Sequence, residues 1–247
     1  PTGVEEIRFV RFDWNGTWKV IFVDGVNLPW IYDGTTPADV TGAPTGATDV
    51  TTYKDHIFYA AAHKVTFSAP SNPTNMDGRD GAGEIVIGDN IQAIHGFRDR
   101  LIILCDNSLH QLSGSSFQDF KLDEITTNIG CVNGSTVQEI GGDILFLAPD
   151  GVRTIAGTAK IGDVELETVS KPIQPIANSI TKGSNINMPS LAIRGKSQYR
   201  LFYPAGVAAA TTDKGILGGL KRNVETGQIA FEWSQIEGIS PSCADSF

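Results

Sequence analysis

Apolar residues along this chain come in short runs broken by turn-forming residues, the pattern of β-strands rather than of helices. Runs starting at Lys19 (KVIFVDG), Asp55 (DHIFYAAAHKVTFSAP), Arg100 (RLIILCDNSLHQLSG), Asp143 (DILFLAPDGVRTIAG) and Gln198 (QYRLFYPAG) each read as an apolar strand closed by turn residues. No window longer than two helical turns carries a 3.6-residue stripe. The best helical stretches, Ala60 to Ala62 and Val207 to Ala210, are too short to hold a helix alone. The pattern predicts an all-β chain.

The runs also repeat. Leu101 to Leu112 aligns without a gap on Ile144 to Ile155: four apolar residues, a turn at Asp106-Asn107 or Asp150-Gly151, then a strand with alternating apolar positions. Each copy ends in a glycine, Gly114 or Gly157, and is led by a short strand, Ile91 to Ile94 or Val137 to Ile140. Ile57 to Ser68 fits the same frame and Val20 to Ile31 fits it loosely. Onsets at 57, 101 and 144 are separated by 44 and 43 residues, and the next lies near Tyr199. A period near 43 built from short antiparallel strands is the pattern of a β-propeller blade, whose two apolar faces must be stacked on neighbours.

About five blades are visible, as a single propeller domain over residues 1–247, with a β-sandwich as the alternative. The polar outer strands are expected at Ser116 to Glu124 and Val164 to Ser170, with Phe120, Leu122, Val164 and Leu166 facing in. Residues 32–53, rich in Gly, Pro and Thr, are expected as a long surface connection between units. The first residue, Pro1, suggests a fragment or cleavage product of a longer chain.

Composition narrows the function. Gly (27) and Pro (12) favour many turns, and 28 acidic against 19 basic residues give a net charge of −9, unlike a basic nucleic-acid binder. No apolar stretch is long enough for a membrane span. Cys105, Cys131 and Cys243 are odd in number and widely spaced, so free thiols are expected. The sequons at Asn15 and Asn133 read as turn chemistry.

Catalytic motifs are absent: there is no GxSxG elbow, Walker A loop or Rossmann fingerprint. His56, His63, His95 and His110 form no HxH or HExxH pattern, and exposed strand or turn histidines are expected. Asp77, Asp80 and Glu84 lie in a glycine-spaced acidic run that is either a weak calcium loop or a flexible acidic loop. Asp99, Asp106, Asn107, Asp143, Asp150 and Gly151 are read as turn residues, the carboxylates capping nearby backbone N–H groups. Trp14, Trp18, Trp30 and Trp233 serve either inter-blade packing or a carbohydrate platform. No cofactor and no enzymatic activity are expected.

The run from Tyr53 (YKDHIFYAAAHKVTFSAPSNPTNMD), continuing through GEIVIGDNIQAIHGFRDRLIILCDNSLHQLSG to DILFLAPDGVRTIAG, resembles tailed-bacteriophage virion proteins of the tail tubular, nozzle or tail-stabilisation type. The matching residues are Asp55 to Pro70, Ile91 to Gly114, and Ile129 to Gly157. The resemblance implies a structural component of a short-tailed phage tail or head–tail connector. It implies a ring of copies of the chain, stacked on an adaptor or other tail proteins, around DNA that passes without specific binding. Localisation would be the virion, assembled in the host cytoplasm. The alternatives are a propeller binding module for glycan or host receptor, and a glycan hydrolase on a propeller. Within the loop Pro204 to Gly215, the apolar residues Ala205, Val207, Ala208, Ala209 and Ala210 are the expected subunit contact.

Overall fold

Local chemistry at the turns fixes the hairpins from which the fold is built. Asn15 and Gly16 carry the paired positive φ values (52° and 76°) of the turn type that matches strand twist, and Lys54 and Asp55 do the same (47° and 62°). The computed structural model describes residues 6–156, 168–180, 186–204, 212–222 and 229–245.

These residues form five separate antiparallel sheets, each with its strands side by side in chain order. Sheet 1 holds β1 (Arg8–Trp14), β2 (Thr17–Val23), β3 (Trp30–Tyr32) and β4 (Pro37–Asp39); sheet 2 holds β5 (Asp49–Tyr53), β6 (His56–Ala61), β7 (Lys64–Phe67) and β8 (Gly83–Val86). Sheet 3 comprises β9 (Ile91–Phe97), β10 (Arg100–Cys105), β11 (Leu109–Ser113) and β12 (Lys121–Thr126). Sheet 4 has β13 (Gln138–Ile140), β14 (Asp143–Ala148) and β15 (Gly151–Thr154), and sheet 5 has β16 (Ser190–Ile193), β17 (Gln198–Tyr203), β18 (Lys214–Arg222) and β19 (Ile229–Glu237). The aligned runs at 101 and 144 are both second strands, in equivalent positions of their sheets. Five meanders, rather than two facing sheets, argue against the sandwich.

The chain divides into two compact units, Pro1–Asn128 with sheets 1 to 3 and Ile129–Phe247 with sheets 4 and 5. In the first unit one core joins sheets 1 and 2 through Ile21, Val23, Val50, Ile57 and Tyr59. A second core joins sheets 2 and 3 through Phe58, Val65, Phe67, Leu101, Ile103 and Leu112. Alternate residues of β6 therefore enter different cores, which is why this strand is apolar without a break. In the second unit Leu145, Leu147, Val152, Tyr199, Leu201 and Ile216 form the core between sheets 4 and 5.

Three expectations need correction or qualification. Residues 32–53 are not a surface connection: they hold β4 and β5, and Val40, Ala43, Ala47 and Val50 are buried in the first core. Small side chains hid this, because Ala and Gly let irregular backbone pack closely without a large apolar run. Helix α1 (Gln174–Ser179) was not anticipated; Pro175 suits its first turn, and buried Ala177 is its packing contact. Of the outer strands, Phe120 and Leu122 do pack on the second core, whereas Gly157, Val164 and Leu166 lie outside the described residues.

One carboxylate ties the first strands of sheets 1 to 3 together. Asp49 on β5 accepts the Ile94 N–H of β9 at 2.8 Å and its own neighbour's N–H, that of Val50, at 2.9 Å. The same Oδ2 lies 3.3 Å from the Arg8 guanidinium of β1. Burial pushes the Asp49 carboxyl above its ordinary 3.8, against the opposing pull of Arg8 and the two N–H groups. The proton is therefore held longer in the folded state than in the unfolded one. This group's contribution to stability is full below pH 3.8 and declines as pH rises toward the raised value. Nearby, a Cβ on Gly96 of β9 would lie 2.9 Å from the Thr52 carbonyl of β5, so the first strands approach as closely as a bare glycine permits.

Asp49→Ala, which strands the buried Ile94 N–H while Arg8 keeps its pair with Glu6, is expected to cost about 2 kcal/mol in urea unfolding. Asp49→Asn keeps an acceptor oxygen and removes the buried charge, and its cost is expected below about half of that. Equal losses would mean that charge, not acceptor geometry, holds the strands.

Candidate functional site

Sheet 1 is apolar on both faces, and among the described residues one face is packed in a core while the other stays partly exposed. Val10, Phe12, Ile21, Val23 and Ile31 turn toward sheet 2. On the other face the register sets Phe9 opposite Phe22 and Phe22 opposite Trp30, and the three rings form a ladder with centroids 5.9 and 5.5 Å apart. Phe9 is 60% exposed and Trp18 56%, with Ile7 and Tyr32 also open on this side. The Arg11 guanidinium lies over the Trp18 ring at 4.1 Å, keeping a cation in place above an otherwise apolar strip.

A cleft of about 450 Å³ opens where β1 and β5 run out into their hairpin turns. Arg11 to Asn15 form one wall, Thr52 to Ile57 the opposite wall, and Ser71 with Pro73 a third side. Trp14 lines the cleft and carries the Lys19 ammonium 4.3 Å from its ring centre. The sequence offered Trp14, Trp18 and Trp30 as packing or a carbohydrate platform, but not the surfaces they belong to. The exposed face leaves a signal in the alternation of β1, but the cleft joins residues from three separated segments and has no sequence period.

The four tryptophans thus divide. Trp30 stacks in the aromatic ladder, Trp18 is open, and Trp14 lines the cleft. Trp233 packs in the second unit, where its indole N–H donates to the Val169 carbonyl at 2.7 Å. Its ring lies over Gly218, directly opposite in register, where a Cβ would come within 2.8 Å. The glycines of β18 therefore make room for an aromatic ring.

The histidine expectation holds for His63, an exposed turn residue, and fails for two others. His56 is buried edge-on among Phe58, Phe67 and Phe120, with Nδ1 2.6 Å from the Ser68 carbonyl. His110 is also buried, which pushes its pKa down, with Nε2 3.0 Å from the Ser108 hydroxyl. Both histidines share a strand face with second-core residues, His56 with Phe58 and His110 with Leu112, and that packing took up positions that alternation alone placed outside. Cys105 and Cys131 are buried free thiols and Cys243 is an exposed one.

Asp77, Asp80 and Glu84 do not converge. Asp77 caps a short 3-10 turn by accepting the Arg79 N–H, Asp80 accepts the Asn75 amide at 2.7 Å, and Glu84 pairs with Lys64 at 2.9 Å. Among the described residues no group of three His, Cys, Asp or Glu is placed to hold a metal. Nor is any described helix long and apolar enough to cross a membrane.

The predicted turn residues sit at turns, but only Asp143 caps adjacent backbone as expected, accepting from Ile144 at 2.8 Å and from Ala156. Asp99 pairs instead with Lys54 at 3.1 Å, and Asp106 accepts the Asn90 and Gln92 side-chain amides. Asp150 pairs with Arg153. Asn107 donates its N–H to Asp89, and Gly151 is in the positive-φ region at the β14–β15 turn. Asn133 is buried and donates its amide to the Ile186 carbonyl, so the second sequon is structural. Ala205, Val207, Ala208, Ala209 and Ala210 lie outside the described residues.

No family model and no curated protein matches the chain. Among solved structures, Hsv2p of Kluyveromyces lactis, a β-propeller protein, is similar at TM-score 0.50 and 7% identity, over 92% of this chain and 73% of that one. The extracellular domain of BT4673 from B. thetaiotaomicron is similar at TM-score 0.52 and 15% identity, over 94% of this chain and 35% of that one. The fold is β-propeller-like. Its sheets are blades, and identity this low carries the fold and nothing more.

Two further carboxylates on the blades serve as turn clamps. Asp119 is held down to about 2 by the backbone N–H groups of Ser115 and Ser116, and Asp33 to about 2 by Thr35 and the N–H of Thr36. The order each clamp gives its turn is full above the ordinary aspartate range and lost as pH falls through about 2. Carboxyl NMR titration should therefore follow both groups to about pH 2. Titration of either above its ordinary value of 3.8 would remove the clamp assignment.

Proposed function

We propose that this chain is an architectural propeller module of a short-tailed phage tail, non-catalytic and docked side by side with copies of itself and other tail proteins. The observation that carries the reading is the aromatic outer face of sheet 1. Blades of the first unit bury apolar faces against each other, and sheet 2 is covered on both sides. Sheet 1 offers Phe9, Tyr32 and Trp18 as exposed rings, with Phe22 and Trp30 half-buried beside them. An aromatic strip with a fixed arginine at its margin has the composition of a protein–protein contact rather than of a solvated surface.

The sequence resemblance points the same way. Its segments coincide with β6 and β7, with β9 to β11, and with the strands of sheet 4. These residues supply cores and hairpin turns, so what is shared with tail proteins is scaffold. A net charge of −9 suits a ring around DNA that passes without adhering. The virion is the corresponding location.

Electron microscopy and light scattering of the purified chain, alone and with the adaptor of its own particle, test the reading. Closed rings are expected, and the pair Phe9→Lys with Trp18→Glu is expected to abolish them while leaving the melting temperature within a few degrees. Wild-type protein that stays monomeric in both settings, or a double variant that assembles as well as wild type, would overturn it.

A further inference from the structure

The cleft between β1 and β5 adjoins the docking face, with Arg11 at the border of both, and has its own chemistry. Its volume, about 450 Å³, lies within the range of roughly 300–1,000 Å³ typical of small-ligand sites. The geometry points to a binding site for a neutral saccharide, lodged between the first two blades with Trp14 and Asp55 as its principal contacts.

Charge decides the class of ligand. Arg11 and Lys54 line the cleft against Asp13 and Asp55, so the walls carry no net charge. The two cations are already engaged, Arg11 over Trp18 and Lys54 with Asp99 at 3.1 Å. The two carboxylates are not: neither the Asp13 nor the Asp55 side chain makes a hydrogen bond or ion pair with a described residue. A phosphate or nucleotide would meet free anions and committed cations, and is disfavoured. A cationic ligand would find the ammonium of Lys54 and the guanidinium of Arg11 alongside. A neutral polyol suits the site better, because each carboxylate can accept two hydroxyl hydrogen bonds and charge-assisted bonds of this kind are the stronger ones.

The remaining walls fit a sugar ring. Thr52 and Ser71 supply hydroxyls and Asn15 an amide, each able to donate or accept. Trp14, which also carries the Lys19 ammonium, and the part of Phe12 not packed in the first core supply apolar surface for the C–H face of a pyranose. Both flanking turns are fixed by positive-φ residues, and the Ser71 N–H donates to the Asp55 carbonyl at 2.8 Å. Asp55 is therefore held in a rigid turn, and the carboxylate it presents loses little entropy when a ligand binds.

The test is a glycan array carrying neutral hexose oligosaccharides beside sialylated, sulfated and phosphorylated ones, probed with the full chain. The best neutral glycan is then followed by isothermal titration calorimetry. Binding confined to neutral glycans is expected, with about a tenfold loss in affinity for Asp55→Asn, equivalent to one charge-assisted hydrogen bond. Asparagine tolerates the same positive φ, so that variant should keep its fold. Trp14→Ala should lose at least as much, and Phe117→Ala, an exposed ring elsewhere in the unit, should lose nothing. No neutral glycan bound, preference for anionic glycans, or affinity untouched by Asp55→Asn would each overturn the assignment. Ring assembly is read separately by microscopy, so failure here leaves the architectural reading standing and the converse also holds.

Discussion

The first unit depends on how closely three first strands can be brought together. At β1, β5 and β9 side chains have little room and backbone groups of different sheets face one another. Asp49 resolves that crowding by accepting from Ile94 on one neighbour and facing Arg8 on the other. Gly96 resolves it by leaving out a side chain against Thr52. A larger residue at either place would spread the sheets and open both apolar cores to water. The buried carboxylate is not a strong ion pair in the usual sense, because desolvation outweighs the pull of Arg8. Its value lies in directed acceptor geometry, which an apolar side chain could not supply.

From that convergence follows a hierarchy of burial. Once the first strands are fixed, β6 stands between two cores, and β10 and β14 are likewise apolar and buried almost along their whole length. β7 alternates between buried and half-buried positions, and the fourth strand of sheet 3 carries Lys121, Asp123 and Glu124. Sheet 1 breaks the pattern because its second face has aromatic rings where solvent-facing strands elsewhere have polar groups. An exposed ladder of this kind is costly for a molecule that works alone, since it invites non-specific association. Its retention is understandable where a partner surface covers it.

The parts legible in the sequence were those set by local repetition. Second strands announced themselves as unbroken apolar runs, and their turns as Asp106-Asn107 and Asp150-Gly151, because each signal lies within a dozen residues. The same logic placed Phe120 and Leu122 inward. What escaped was set by distant contacts. Val40, Ala43 and Ala47 are too small to make an apolar run, yet they are buried because irregular backbone folds over sheet 2. His56 and His110 occupy polar-looking positions in strands that happen to be covered on both sides. Asp99, Asp106 and Asp150 were correctly put at turns, but their partners, Lys54, Gln92 and Arg153, are reached through the fold or around the turn.

Repetition also separates scaffold from function in this chain. A residue type that recurs at the same place in several blades answers a need all blades share, whether a tight turn or a core contact. Phe9, Trp14, Trp18 and Asp55 have no such counterparts, and they are clustered on or beside the first blade. Asp49 likewise occurs once, but its partners are backbone and Arg8 inside the protein, which accounts for it as a structural device. Phe9 and Trp18 stay more than half exposed despite their ring and cation contacts, and the Asp55 carboxylate makes no hydrogen bond or ion pair with a described side chain. In a fold whose blades are otherwise interchangeable, asymmetry without an internal use marks where the molecule meets something else.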